Sequence, residues 1–124
     1  PEFLEELMWK KFNNKIKKII MTKKIYYLKH GGFTYPLAEQ LILDGRKNKV
    51  LNKKINLKIP IILFHGKKDE VVPITFSKKI FKVFKKAEKK LVKIKNGQHS
   101  LSRKSDLKKI CNTLNDLTDK INSN

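Results

Sequence analysis

A chain of 124 residues and 14.6 kDa is long enough for one small domain, which at this size buries about two-thirds of the surface that its unfolded form exposes. Hydrophobic residues make up 40% of the chain, which can supply a core and argues against disorder throughout. Because Arg46 and Arg103 are the only arginines, lysine carries nearly all of the +19 net charge, and lysine lacks the planar fork that binds phosphates and bases bidentately. The charge therefore indicates no specific nucleic-acid partner.

The first 58 residues are predicted to form a helix and a cap-like segment. Apolar residues recur at helical spacing from Glu2 to about Ile20, which predicts one amphipathic helix. Two extended pieces follow around Gly31-Gly32, where the glycine pair indicates a turn. Pro36 is expected to open a short helix that runs to about Leu43 and ends at Gly45.

Residues 59–124 are predicted to form a βαβ unit and a terminal helix. The run Ile59–Phe64 is short, apolar and rich in β-branched residues, which is typical of a strand buried on both faces of a parallel sheet. A helical pattern over 76–87 and a second strand at Leu91–Lys95 follow, and parallel strands require such a crossover. A final amphipathic helix is expected over 101–121, capped by Ser102 or Ser105. The fold class is α/β, and the two segments together make one incomplete domain.

Two loops of this unit carry polar side chains that could take part in catalysis. Asp69 follows the first strand and His99 follows the second, and loops at the carboxyl ends of parallel strands converge on one crevice. A carboxylate beside an imidazole can fix the imidazole's tautomer and stabilise the imidazolium that forms when it takes a proton from a hydroxyl nucleophile. Asp69 and His99 are therefore the candidate acid and base of a catalytic triad. Read singly, either residue could instead be a structural turn residue.

The stretch from Ile59 to about Leu117 resembles the C-terminal part of α/β-hydrolases. The resemblance rests on His-Gly-Lys-Lys-Asp-Glu-Val-Val-Pro and on Asn-Gly-Gln-His-Ser-Leu-Ser-Arg. It implies that Asp69 is the triad acid and that His99 is the base. The three histidines, the cysteine and the scattered carboxylates show no metal-ligand spacing, and neither a metal nor a cofactor is expected. The most similar branch is the bacterial and mitochondrial group of small acyl hydrolases related to palmitoyl-protein thioesterases and acyl-glucuronide esterases, which implies small acyl ester or thioester substrates.

The chain departs from the family pattern in one important respect. The family places its serine before the acid, on a Gly-x-Ser-x-Gly elbow, and this sequence contains no such motif. All five serines lie after Asp69: Ser77, Ser100, Ser102, Ser105 and Ser123. We therefore expect a C-terminal fragment that is inactive alone and needs an N-terminal half as its partner. Gln98 and Ser100 also stand where aspartate and arginine are common.

Other features receive simpler interpretations. His30-Gly31-Gly32 is similar to a lipase oxyanion loop but is expected to be a turn. Cys111, the only cysteine, is expected to pack on the buried face of the last helix. Because a single cysteine cannot form an intramolecular disulfide, a reducing compartment such as the cytoplasm is expected. No stretch is apolar enough to predict a membrane span. The alternative function is a non-catalytic, lysine-rich module that binds nucleic acid or acidic partners through salt-sensitive attraction.

Overall fold

The computed structural model describes residues 2–123, and the chain divides into two compact units, Pro1–Lys53 and Lys54–Asn124. The first unit contains helix α1 (Asn14–Lys23), strands β1 (Ile25–His30) and β2 (Phe33–Ala38), and helix α2 (Glu39–Lys47). The second contains strand β3 (Ile61–Gly66), helix α3 (Ile74–Val83), strand β4 (Lys89–Ile94) and helix α4 (Lys104–Asn122).

The first predicted helix is broken into shorter pieces. A π-helical turn occupies Leu4–Met8, a 3-10 turn occupies Trp9–Lys11, and the backbone is extended at Phe12 with a ψ angle of 139°. Asn13 then caps α1, because its side-chain oxygen accepts a 2.9 Å hydrogen bond from the backbone N–H three residues later. The prediction of one continuous helix over residues 2–20 is therefore wrong, since a capping asparagine starts a new helix although the apolar period continues.

Strands β1 and β2 form an antiparallel hairpin. Gly31 and Gly32 make its turn with φ angles of 57° and 80°, which confirms the predicted turn at the glycine pair. The helix predicted to open at Pro36 is wrong, because Pro36 lies within β2; both strands of a two-stranded sheet are edge strands and tolerate proline. Helix α2 begins at Glu39, and Gly45 is buried inside it rather than ending it.

The second unit is built on a parallel βαβ arrangement. Strands β3 and β4 pair in parallel, with Ile61 opposite Lys89 and Gly66 opposite Ile94, and α3 is the crossover between them. This confirms the predicted α/β class and the predicted parallel pair. Residues 61–64 of β3 are half-buried rather than buried on both faces as predicted, and β4 is the only strand that pairs with β3 within residues 2–123.

The core of the second unit lies between the sheet and α3. Apolar side chains from the loop that carries Asp69, from α3, from the connection between α3 and β4, and from β4 are buried: Val72, Phe76, Val83, Ala87, Val92 and Ile94. Burial of each valine, isoleucine or phenylalanine in this set contributes about 1.5–3 kcal/mol. Since both loops that carry the candidate acid and base leave this packed βαβ unit, the core fixes where those loops begin.

Helix α4 differs from the sequence prediction at two points. Its N-cap is Arg103, and neither Ser102 nor Ser105 caps it as predicted. Cys111 is exposed, so the expectation that it packs in the interior is wrong. The physical reason is that α4 buries few positions, and Leu107, which shares its apolar stripe, is itself 49% exposed. No helix within residues 2–123 is both long enough and apolar enough to cross a membrane.

Candidate active site

The loops after β3 and β4 are held together by two glycines. A Cβ atom on Gly66 would lie 2.3 Å from the carbonyl oxygen of Gly97, and a Cβ atom on Gly97 would lie 3.0 Å from the Cα atom of Gly66. The backbone N–H groups of Lys67 and Lys68 donate to the carbonyl oxygens of Ile94 and Gly97, at 2.9 and 2.8 Å. The absence of both side chains therefore allows backbone contact at the root of the candidate site.

Replacement of Gly66 with alanine is expected to destabilise the chain by about 1–3 kcal/mol or more, because the new methyl group meets backbone that cannot rotate away. Chemical denaturation followed by circular dichroism measures the change in the free energy of unfolding. Ser102→Ala, at an exposed position, is the control and should change it by less than about 0.5 kcal/mol. A Gly66→Ala variant as stable as the parent chain would contradict this packing.

Asp69 is held by its own loop. Its side chain is 7% exposed, and Oδ1 accepts hydrogen bonds from the backbone N–H groups of Val71 and Val72 at 2.9 and 2.8 Å. Its backbone N–H donates to the carbonyl oxygen of Gly66 at 3.1 Å. A carboxylate that accepts bonds from the next residues forms a local turn, which fixes its orientation. Oδ2 is thereby left to face other partners.

The environment of Asp69 favours its ionised form. Burial pushes the pKa of this carboxyl up, but the N–H of Val72, the imidazole of His99 and the N–H of Val71 together hold the pKa below the ordinary value of 3.8. The pKa of Asp69 is lower in the folded state than in the unfolded state. Its ionisation therefore contributes fully to the free energy of unfolding above the unfolded-state pKa, and this contribution is lost as the pH falls through the folded-state pKa. At neutral pH, Asp69 is a carboxylate.

His99 meets this carboxylate from the second loop. Its Nδ1 lies 3.0 Å from Asp69 Oδ2, while its side chain is 55% exposed. Because the carboxylate can only accept, Nδ1–H is the donor of this hydrogen bond, and in the neutral imidazole Nε2 then carries the lone pair. Nε2 has no hydrogen-bond partner among residues 2–123. The structure thus brings together both residues that the sequence singled out.

A second histidine, which the sequence interpretation passed over, faces the same carboxylate. His65, at the end of β3, is 6% exposed, and its Nε2 lies 3.9 Å from Asp69 Oδ2. Its Nδ1 is 2.8 Å from Oγ of Ser77, a buried residue of α3. The four-residue spacing of His65 and Asp69 was visible in the sequence. The pairing with Ser77 was not, because it depends on how α3 packs against β3.

An ion pair anchors the start of α4, just beyond His99. Arg103 binds Asp106 bidentately, with Nε and Nη2 donating to the two carboxylate oxygens at 2.8 and 2.7 Å, and Asp106 is 2% exposed. The guanidinium holds the pKa of Asp106 below its usual range, and Asp106 holds the pKa of Arg103 above its own. A carboxylate in the first helical turn also interacts favourably with the helix dipole.

The other nucleophile candidates do not meet His99. Ser77 binds His65, and Ser100 binds Ser102 at 3.0 Å between their hydroxyl oxygens. Cys111 is exposed on α4 and makes no hydrogen bond with a histidine within residues 2–123. Within residues 2–123, no three metal-ligating side chains are grouped closely enough to hold an ion.

Two open clefts border the acid and the base. A groove of about 510 Å³ is lined by His65, Gly66, Lys67, Asp69, Pro73, Ile74, Lys78 and Lys93. A second cleft of about 320 Å³ is lined by Lys68, Glu70, Val71, Gln98 and His99. Gln98, one of the two departures from the expected pattern, therefore borders the base directly.

Comparison with known proteins agrees with this architecture. A crystal structure from Agrobacterium vitis S4 superimposes with a TM-score of 0.82 at 20% identity, over 94% of this chain and 46% of that one. Alpha/beta hydrolase domain-containing protein 10 from mouse superimposes with a TM-score of 0.77 at 24% identity, over 93% of this chain and 47% of that one. The parallel βαβ unit and these likenesses define the fold as part of an α/β-hydrolase.

Sequence comparison gives the family. The model described as "Serine aminopeptidase, S33" matches residues 16–106. The mitochondrial palmitoyl-protein thioesterase ABHD10 of Mus musculus is 29% identical over 97 residues, which are 78% of this chain and 32% of that protein. The chain belongs to the serine aminopeptidase S33 family of hydrolases, and it spans about a third of the length of the curated relatives it matches.

Proposed function

We propose that this chain supplies the acid and the base of a serine hydrolase that cleaves carboxylic esters or thioesters. The observation that carries the proposal is the 3.0 Å contact between His99 Nδ1 and a buried, ionised Asp69. This contact leaves Nε2 of His99 without a hydrogen-bond partner within residues 2–123, on a side chain that is 55% exposed, and Nε2 is the nitrogen through which a general base meets the nucleophile.

The mechanism follows from this geometry. Nε2 of His99 takes the hydroxyl proton of a serine as the serine oxygen attacks the acyl carbon. Asp69 holds the imidazole in the tautomer with its proton on Nδ1 and stabilises the imidazolium that forms. The same proton then passes from Nε2 to the departing alcohol or thiol, and water repeats the sequence to release the acid. His99 gives the proton that it takes from serine to the leaving group, and the proton that it takes from water to the serine oxygen.

The attacking serine is assigned to a segment outside these 124 residues. Supporting this, no serine among residues 2–123 reaches His99, and the curated relatives extend well beyond the matched stretch. In this proposal residues 1–58 serve as a helix and cap-like segment, residues 59–124 provide the acid and base loops of one incomplete domain, and the chain alone is inactive. The single cysteine is consistent with a cytoplasmic location.

The substrate class is inferred from the relatives. The mouse relative is named a palmitoyl-protein thioesterase, whereas the family model is described as an aminopeptidase. Thioesters and oxygen esters have better leaving groups than amides, so their cleavage needs less help from the base in expelling the leaving group. We therefore place the substrate among small acyl esters and thioesters and do not assign a chain length.

The test begins with the coding DNA and transcript upstream of Pro1, read for a strand followed by Gly-x-Ser-x-Gly. The joined or co-expressed protein is then assayed against acyl p-nitrophenyl esters, acyl thioesters and aminoacyl p-nitroanilides. Hydrolysis of the esters or thioesters supports the proposal. The absence of any elbow, or cleavage of the anilides alone, overturns it.

A further inference from the structure

Ser77, His65 and Asp69 form a series of side-chain contacts that ends at the carboxylate of Asp69. Ser77 Oγ lies 2.8 Å from His65 Nδ1, and His65 Nε2 lies 3.9 Å from Asp69 Oδ2. Oδ2 is also the oxygen that His99 contacts at 3.0 Å. One carboxylate oxygen is thus approached by a buried imidazole and by an exposed one, and the proposed mechanism uses only the exposed one.

The hydrogen bonding of His65 follows from electrostatics. If Nδ1–H donated to Ser77, the Nε2 lone pair would face an ionised carboxylate oxygen, which is repulsive in a buried setting. If Ser77 donates its hydroxyl proton to Nδ1, then Nε2 carries the proton and turns the positive end of its N–H bond toward Asp69 Oδ2. The second arrangement satisfies Nδ1 and removes the repulsion, so electrostatics favours it over the other neutral tautomer.

We propose that His65, oriented by Ser77, is a positioning residue for the candidate triad acid: its Nε2–H faces Asp69 Oδ2 and helps to keep the carboxylate charged and aimed at His99. Calling Asp69 the triad acid rests on the proposed function. The geometry of His65 does not.

The need for such a residue arises from burial. Asp69 is 7% exposed, and loss of solvent is the largest influence on its ionisation, opposed by the donors that face it. Oδ1 receives two backbone N–H groups, whereas Oδ2 receives the proton of an exposed imidazole alone unless His65 contributes. At 3.9 Å the contribution is electrostatic and is strengthened by the low dielectric of the interior.

Other charged groups near His65 do not replace it. The groove that His65 lines also contains Lys67 from the acid loop, Lys78 from α3 and Lys93 from β4, together with Asp69. All three lysines are exposed, so water and salt screen them. His65 is the only one of these nitrogen donors that is buried beside the carboxylate.

The first measurement is the tautomer of His65 in the full 124-residue chain, read from long-range ¹H–¹⁵N spectra of the histidine rings at neutral pH. The proposal expects a protonated Nε2 and an unprotonated Nδ1. The reverse tautomer, or a doubly protonated ring, would overturn it. This readout needs no variant and no catalysis, so it can fail while the proposed hydrolase activity stands.

The second measurement is the pKa of the Asp69 carboxyl, from ¹³C titration of parent and variant chains. His65→Phe should raise this pKa by a few tenths to about one unit. His65→Gln, which restores an amide N–H at a similar reach, should bring it back toward the parent value, whereas a purely steric role would not distinguish the two variants. His30→Phe, at an exposed histidine of the hairpin, is the matched control. An unchanged Asp69 pKa in His65→Phe would overturn the proposal.

Discussion

Replacing His99 with alanine in the complete enzyme is expected to lower kcat by about 10⁶, the scale on which removal of the base disables another serine hydrolase. The reason is that His99 is an exposed imidazole hydrogen-bonded to the Asp69 carboxylate, whereas the other imidazole near that carboxylate, His65, is buried. Steady-state hydrolysis of an acyl p-nitrophenyl ester measures the loss. Because the side chain is 55% exposed but hydrogen-bonds to Asp69, the free energy of unfolding should fall by only about 0.5–1.5 kcal/mol, and the fold should be retained.

His30→Ala provides the matched control for this experiment. His30 is an exposed histidine at the end of β1, so its removal changes the histidine content and the charge in the same way. Its kcat should stay near the parent value. If the His99→Ala enzyme retained the parent rate, His99 would not be the general base, and the loop that carries it would not be part of the active site.

Replacing Asp69 with asparagine is expected to lower kcat by about 10⁴ with little change in the shape of the site. The asparagine side chain can turn its amide N–H₂ toward His99 Nδ1, at the position where the carboxylate oxygen lies 3.0 Å away. Nδ1 then accepts, so Nε2 becomes protonated and cannot take the proton of a serine. The measurement is the rate of a single turnover, in which acyl transfer is separated from product release.

Asp116→Asn, at an exposed position on α4, is the control for loss of one carboxylate and should leave the rate unchanged. The tautomer itself offers a second check, since nitrogen shifts of His99 report which ring nitrogen carries the proton. If Asp69→Asn left both the rate and the His99 tautomer as they are in the parent, Asp69 would be a loop residue and not the triad acid.

The strands, their parallel pairing and the meeting of Asp69 with His99 were predictable from the sequence. A short run of β-branched residues favours a strand, although its burial on both faces was predicted wrongly, and the direction of βαβ connections places successive loops at one edge of the sheet. The two residues are 30 positions apart, yet the geometry of the parallel pair alone is enough to bring their loops together.

The errors lie where local chemistry competes with periodicity. Apolar spacing runs through Phe12 and Asn13, but the capping side chain of Asn13 fixes a new helix start that spacing alone does not reveal. Pro36 can open a helix or lie in an edge strand, and only the pairing with β1 decides between them. Exposure of Cys111 depends on how much of α4 is covered, which is a property of tertiary packing.

The pairing of His65 with Ser77 was beyond sequence reasoning for a different reason. Hydrophobic spacing does not predict whether either residue is buried. To predict their contact, one must also know how α3 is rotated about its axis. Polar residues on a helix face that turns toward a sheet are buried only when a partner is present. The partner can be identified only from coordinates.

The contact between Gly66 and Gly97, where the two loops begin, also restricts the register of β3 and β4. Gly66 stands opposite Ile94 in the register of β3 and β4, with its Cα atom close to Gly97. A slip of one residue would bring His65 or Lys67 to that place, and either side chain would drive a Cβ atom into backbone carbonyl groups. Steric clash therefore disfavours a misaligned pair, and the native register is the one in which the Asp69 and His99 loops can meet.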